Sequence, residues 1–323
     1  MNADLLAVRV AALRTEALDV LSVELEAQEG VSLPSAEAGA HIDLHLANGL
    51  VRNYSLCNTP GTTRRYRLGV GRSATSRGGS AYVHEQLRVG DVLRISAPRN
   101  NFALTPKAQQ VVLVAGGIGI TPLLAMARQC AADGRDWTLH YCARSHLRAA
   151  FFDELRVLQG EIQRIHTWFS DEDGKGFDAE GTFVAAPPPS LHVYCCGPES
   201  LMNAVELATA HFAPDQVHFE RFGAPMPHVA AVGAAESFEL HLKRSGLTLQ
   251  VPPARSVLDC IESHGVMVPF SCREGLCGTC ETTVLDGAIE HRDFVLSAVD
   301  RAAQNKMMVC VSRAAGGHLT LDL

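Results

Sequence analysis

Apolar and polar positions alternate over Leu6–Val10, Val20–Leu25 and His41–Leu46, the period of a strand with one buried face. Asn48-Gly49 follows the third of these as a hairpin turn. The same pattern predicts strands at Arg52–Leu56, Tyr66–Val70 and Val92–Ala97, with one short helix over Ser80–Leu87. Short strands divided by turn residues predict a small antiparallel barrel or sandwich over residues 1–104. After Pro106 the pattern changes. Val111–Val114 is an unbroken apolar run, followed by the glycine-rich Ala115–Pro122 and a helical stretch over Leu123–Cys130. Strands at Trp137–Cys142, Ile165–Ser170 and His192–Cys196 alternate with helices around Phe151–Leu158 and Glu199–His211. That alternation predicts a parallel α/β domain over 105–223. Residues 224–236 hold two prolines among small residues without periodicity, as a linker does. Beyond them, 237–323 reads as a compact α+β unit. Its strands are predicted at Phe238–Lys243, Leu247–Val251, Glu281–Leu285, Met307–Val311 and His318–Leu321, with a helix near Val257–His264.

Composition narrows the picture. A chain of 323 residues suggests about two domains on length alone; the pattern gives three. With 47% hydrophobic and 20% charged residues, the disordered, collagen-like and coiled-coil classes are excluded. A net charge of −7 argues against nucleic acid or anionic lipid as a partner. No apolar stretch reaches the roughly 18 residues of a membrane span. Asp4, Arg9, Arg14, Glu16 and Asp19 interrupt any signal-peptide apolar region, so a cytoplasmic location is expected.

In a reducing compartment, regularly spaced cysteines point to metal or catalysis rather than disulfides. Six of the ten cysteines (Cys57, Cys130, Cys142, Cys195, Cys196 and Cys260) show no ligand spacing. Cys272-x4-Cys277-x2-Cys280 with a distant Cys310 has the plant-type spacing of a [2Fe–2S] cluster. Four thiolates suit two sulfide-bridged irons. Gly275 and Gly278 allow the loop to wrap a cluster so that backbone N–H groups reach the sulfurs. No histidine replaces a cysteine, which argues against a Rieske centre here. The alternative is structural zinc, which usually pairs two C-x2-C motifs, whereas Cys310 stands alone.

Gly116-Gly-Ile-Gly119 lies between an apolar strand and a helix, the context for a pyrophosphate at a helix N-terminus. Thr121-Pro122 departs from the full dinucleotide fingerprint, and a tight turn needing glycine is the alternative. Cys196-Gly197-Pro198 ends another strand, where ligands bind in open α/β sheets, or is a turn with proline opening a helix. Arg52-Asn-Tyr-Ser55 could stack on a flavin and hold its phosphate, or could be an ordinary exposed strand. Arg77-Gly-Gly-Ser80 offers backbone N–H groups and a cation to a phosphate.

Taken with Pro98–Phe102, Tyr194–Pro198 and His218–Gly223, these motifs occur in one order over essentially the whole chain. The sequence resembles the phthalate dioxygenase reductase-type proteins, the family that includes vanillate O-demethylase reductases. The resemblance implies a multidomain fold: an antiparallel β-barrel flavin domain, an α/β parallel-sheet nucleotide domain, and an α+β β-grasp ferredoxin-like domain. It implies that Arg52, Tyr54 and Ser55 line FMN, that Arg77, Gly78, Gly79 and Ser80 hold its phosphate, and that Phe222 lies near its ring. Gly117, Gly119 and Thr121 would contact NADH, with Cys196 near the nicotinamide and Gly197 and Pro198 also at the cofactor. Asp171 matches the aspartate expected on the adenosine ribose and implies NADH over NADPH. Cys272, Cys277, Cys280 and Cys310 would hold the cluster.

The implied activity is oxidoreduction in aromatic catabolism. Electrons pass from NADH through FMN to [2Fe–2S], then to a Rieske-type oxygenase or demethylase, with no general acid or base required of the protein. A redox protein reducing a small acceptor directly, or a zinc-holding binding module, are the alternatives.

Overall fold

The structure is a computed structural model that describes residues 5–73, 78–223 and 236–323. The expected linker lies outside these residues except for Glu236, and so does Arg77. The described residues fall in two compact units, 1–220 and 221–323.

The first unit opens with β1 (Leu6–Ala17), β2 (Val20–Ala27), β3 (His41–His45), β4 (Val51–Ser55), β5 (Arg65–Gly71) and β6 (Val92–Ile95). They form an antiparallel sheet in the order β4-β3-β6-β1-β2-β5. A bridge between Leu56 and Leu68, and the Cys57 N–H donated to the Arg67 carbonyl at 2.8 Å, join the two ends into a barrel. Alternate residues such as Val8, Val10, Val23, Leu25, Ile42 and Leu44 fill its interior. The helix α1 (Gly79–Glu85) lies between β5 and β6 in the chain and contributes Val83 to that core.

The second sheet holds β7 (Gln110–Gly116), β8 (Asp136–Ala143), β9 (Ile165–Phe169), β10 (Leu191–Cys196) and β11 (Val217–Glu220). All are parallel, in the order β11-β10-β7-β8-β9. The connecting helices include α2 (Ile120–Ala132), α3 (Phe152–Gln159), the single turns α4 (Ser170–Asp173) and α5 (Ala179–Thr182), and α6 (Glu199–Ala208). From Val111 onward β7 is apolar because core packs against both of its faces, and Leu113 and Val114 are fully buried. The chain builds outward from β7 to β9 and then returns to the other side, so the strand order reverses between β7 and β10.

The break expected at 104/105 separates two sheets but not two compact units. One hydrophobic core runs through both, joining Val20, Ala38, Cys57 and Phe102 to Leu113, Ile120, Leu123 and Tyr141. Gly69 shows how close the approach is: a Cβ there would lie 2.5 Å from Thr121 Cγ2.

The second unit contains β12 (Phe238–Leu242), β13 (Leu247–Val251), α7 (Val257–Ser263), β14 (Glu281–Asp286), β15 (Ile289–Glu290), α8 (Ala298–Ala303), β16 (Lys306–Met308), β17 (Arg313–Ala314) and β18 (His318–Leu321). Its main sheet has the order β13-β12-β18-β14-β16, with β12 and β18 parallel and the other pairs antiparallel. The apolar side of α7 (Val257, Leu258, Ile261) packs on this sheet, which gives the β-grasp arrangement. Ser256 caps α7, accepting from the Asp259 N–H at 3.0 Å, a cap worth about 1 kcal/mol. β15 and β17 pair separately.

Candidate functional site

The cysteine loop lies between α7 and β14. The free thiols of Cys272 and Cys277 are hydrogen-bonded to each other, as are those of Cys280 and Cys310, so the four cysteines stand as two close pairs. Cys272 Sγ accepts from the Glu274 N–H at 3.3 Å and the Leu276 N–H at 3.4 Å, stabilisation that suits a thiolate. The bond from Cys277 brings the Cys272 thiol down to about 7, while Cys277 is pushed up. Gly275 and Gly278 take positive φ, and so does Arg273. Arg273 ties the loop to α7 through Asp259 at 2.7 Å and Glu262 at 2.6 Å. A Cβ on Gly275 would fall 2.7 Å from Val311 Cγ2 and 3.0 Å from Asp293 Cα. An all-sulfur donor set with backbone N–H groups turned toward it fits a [2Fe–2S] cluster.

At the strand reversal of the first unit, two loops press together through glycine. A Cβ on Gly119 would sit 2.1 Å from the Cys196 carbonyl oxygen, and one on Gly197 would sit 2.8 Å from Gly116 Cα. Beside this contact opens a cleft of about 800 Å³. Gly116, Gly117, Ile118, Trp168, Phe177 and Pro198 wall it from the parallel sheet, and Leu18, Asp19, Gly71 and Arg72 from the barrel. Arg72, Arg144 and Arg148 bring positive charge to it; Arg148 pairs with Asp19 at 2.8 Å and Arg72 with Glu85 at 2.7 Å. A cleft outside the carboxyl ends of parallel strands, at a switch point and lined by cations, suits a dinucleotide.

Beside the same switch point, the barrel strand β4 reaches the end of β11. Ser55 donates to Glu220 Oε2 at 3.0 Å, and Glu220 is the register partner of Cys196. Burial pushes the Glu220 carboxyl up to about 8 despite the bond from Ser55, and it pushes the Cys196 thiol up as well. Ser55 and Cys196 are buried and Glu220 is half-buried, and the three form one polar group spanning the barrel and the nucleotide sheet. Next to Ser55 on β4, Tyr54 is half-buried against the barrel core, and burial pushes its hydroxyl up to about 12. Arg52 lies along the start of α1: a Cβ on Gly79 would be 2.6 Å from Arg52 Cγ. Gly78 takes φ 88 there, and Ser80 Oγ accepts from the Ser73 N–H at 3.3 Å. A cradle that only glycine fits, beside an arginine, suits a phosphate ester.

Several expected residues take other places. Thr121 is buried and donates to the Ile118 carbonyl at 3.0 Å, so its hydroxyl braces the turn rather than facing the cleft. Gly119 is also buried behind the wall, where it admits the Cys196 carbonyl, and Cys196 is wholly enclosed. Asp171 lies on the rim beyond the wall residue Ser170, whose hydroxyl it accepts at 3.2 Å. Phe222 is exposed and belongs to the second unit, and Arg77 is outside the described residues. Glu220, Arg72, Arg148, Trp168 and Phe177 were not anticipated as site residues. Among the described residues no helix is long and apolar enough to cross a membrane.

A barrel fused to a parallel nucleotide sheet and followed by a four-cysteine β-grasp unit defines a modular NAD-linked iron–sulfur oxidoreductase. The oxidoreductase NAD-binding domain matches residues 113–207, and the 2Fe-2S iron-sulfur cluster binding domain matches 240–315. A putative toluene-4-sulfonate monooxygenase system reductase subunit of Comamonas testosteroni is 50% identical over 326 residues, spanning all of both chains. Among solved structures, phthalate dioxygenase reductase, described as a modular structure for electron transfer from pyridine nucleotides to [2Fe–2S], is 39% identical with TM-score 0.71. That match covers 99% of this chain and 98% of that one. An intact type IV self-sufficient cytochrome P450 monooxygenase is 40% identical with TM-score 0.91, over 99% of this chain and 41% of that one. The chain belongs to the phthalate dioxygenase reductase-type family, the reductase components of oxygenase systems.

Proposed function

We propose that this chain draws electrons from NADH through FMN to its [2Fe–2S] cluster and delivers them to a Rieske-type aromatic oxygenase or demethylase. The observation that carries the reading is the cleft at the strand reversal, which has one wall from the barrel and one from the parallel sheet. Such a cleft brings a nucleotide in one wall against a flavin held by the other. Conversion of a two-electron hydride into single electrons is the chemistry that flavin and cluster supply when bound.

The chain's own residues supply placement. The Gly116–Ile118 backbone, Arg72 and Arg148 receive the dinucleotide phosphates, and Trp168 and Phe177 give it an apolar wall. Arg52 with Gly78–Ser80 takes a single phosphate ester, which favours FMN over FAD. Ser55 points its hydroxyl hydrogen at Glu220 Oε2, and burial keeps the Glu220 carboxyl protonated below about 8, so this corner holds no anion. Cys272, Cys277, Cys280 and Cys310 hold the irons. The functional division runs at 104/105, with the ferredoxin domain from 237. Asp171, beside Ser170 on the cleft rim, favours NADH over NADPH.

A haem acceptor is the second reading, favoured by the 40% identical cytochrome P450 chain. The test is analysis of the purified protein together with reconstitution. One FMN, two irons and two sulfides per chain, bleached by NADH and reoxidised by a Rieske oxygenase, are expected. FAD in acid extracts refutes the FMN assignment, and reoxidation only by a haem protein refutes the Rieske partner.

A further inference from the structure

Away from the cleft, four charged side chains meet where the barrel abuts the nucleotide sheet. Arg67 on β5 binds Glu154 of α3 at 2.6 Å and Glu16 of β1 at 2.6 Å. Arg128 of α2 binds the other oxygen of Glu154 and also donates to the Cys57 carbonyl. The side chains of Arg67, Glu16 and Arg128 are only 17%, 13% and 20% exposed, and Glu154 is 35% exposed, so water reaches the group from the Glu154 side and screens it only in part. Two guanidiniums balance two carboxylates. Largely buried ions of this kind add little net stability over apolar packing, and their value lies in fixed direction.

The connections give that direction a use. α2 begins at Ile120, where the nucleotide turn ends, and carries Arg128 two turns further on. Arg128 grips Cys57, two residues beyond Ser55 on the flavin strand. Cys57 is in turn bonded to Arg67, whose guanidinium lies 4.9 Å above the Phe151 ring. That ring, with Thr121, occupies the space a Cβ on Gly69 would need. One stiff helix therefore carries the turn at one end and, through Arg128, holds the strand that ends in Ser55. None of the four charged residues lines the cleft.

We propose that Arg128, anchored by Glu154 and Arg67, is a positioning residue that sets the approach of the flavin strand to the nucleotide turn. It governs the rate of hydride delivery and not the affinity for nucleotide. This rests on the electron-transfer reading given above. A misplacement of about 1 Å can cost on the order of 100-fold in rate while binding contacts survive.

The test uses the full cofactor-loaded chain with Arg128→Met, in which Glu154 keeps Arg67 as its partner. Stopped-flow reduction by NADH should show a limiting rate about 10- to 100-fold lower with Kd within about 2-fold of the parent. Amide exchange should rise across 55–58 and stay unchanged across 116–121. Arg128→Lys, which keeps a donor for the Cys57 carbonyl, should recover most of the rate. Should Arg128→Met fail to fold, Glu154→Gln must give the same rate-without-affinity loss in smaller measure. A parental limiting rate in Arg128→Met, or rate and affinity falling in equal proportion, overturns the proposal. Failure of the unaltered chain to be reduced by NADH instead overturns the electron-transfer reading, and the proposal falls with it.

Discussion

The cysteine loop and the Ser55–Glu220 site are built in opposite ways. Three of the four cysteines proposed to hold the cluster are Cys272, Cys277 and Cys280, in a loop whose own N–H groups turn toward a sulfur and whose Arg273 grips the neighbouring helix. Ser55 and Glu220 are 165 residues apart and meet only because a barrel and a parallel sheet share one core. A chelating loop tolerates change elsewhere as long as its spacing survives. A site between two sheets answers to every contact that sets their separation.

The largest effect should come from breaking the local site. Cys272→Ser, or the same change at Cys277, Cys280 or Cys310, should lower electron delivery to a one-electron protein acceptor by about 100-fold or more. Flavin reduction by NADH should stay within about 2-fold, read by stopped flow. If both rates fall together, the two sites are not independently built and the comparison fails.

Glu220→Ala, which leaves Ser55 without its acceptor, addresses the dispersed site and should slow flavin reduction by about 10-fold, with cluster content unchanged. The Glu220 carboxyl holds its proton up to about 8 in the folded chain, against 4.5 ordinarily. Between those values the unfolded chain binds fewer protons, so stability falls as pH rises from about 4.5 to 8 and then levels off. Denaturant midpoints from pH 5 to 9 should show that decline in the parent and a shallower one in Glu220→Ala. An unchanged slope would mean the carboxyl is ionised in place.

The smallest effect concerns the cleft rim. Asp171→Ala should move the NADH-to-NADPH ratio of kcat/KM by a few-fold, about 1 kcal/mol of discrimination, since Asp171 stands beside the wall rather than in it. A ratio that does not move assigns the residue to the surface.

The same contrast explains what could be read before the fold was known. The four-cysteine group was visible as spacing, and β18 was bounded at His318–Leu321 because its alternation is clean and Gly316-Gly317 precede it. β11 escaped notice: it has four residues, all half-buried, so neither face stands out. Glu220 went unmarked with it, because an acid after Val-His-Phe looks like a solvated charge until β11 pairs with β10. The alternation of Val217 and Phe219 was the one available signal. Thr121 misled in the other direction. A hydroxyl beside a glycine turn suggests a ligand contact, yet the approach of β5 at Gly69 turns it inward.

The place of β18 has a consequence for how the protein is made. It is the central strand of its sheet, joining β12 on one side to β14 on the other, and it follows Cys310 in the chain. All four cysteines therefore leave the ribosome before the strand that unites the two halves of their support. During that interval the thiols belong to a nascent polypeptide whose sheet cannot close, open to oxidants and to stray metal. The sheet that supports the cysteine loop is therefore complete only once β18 has been made.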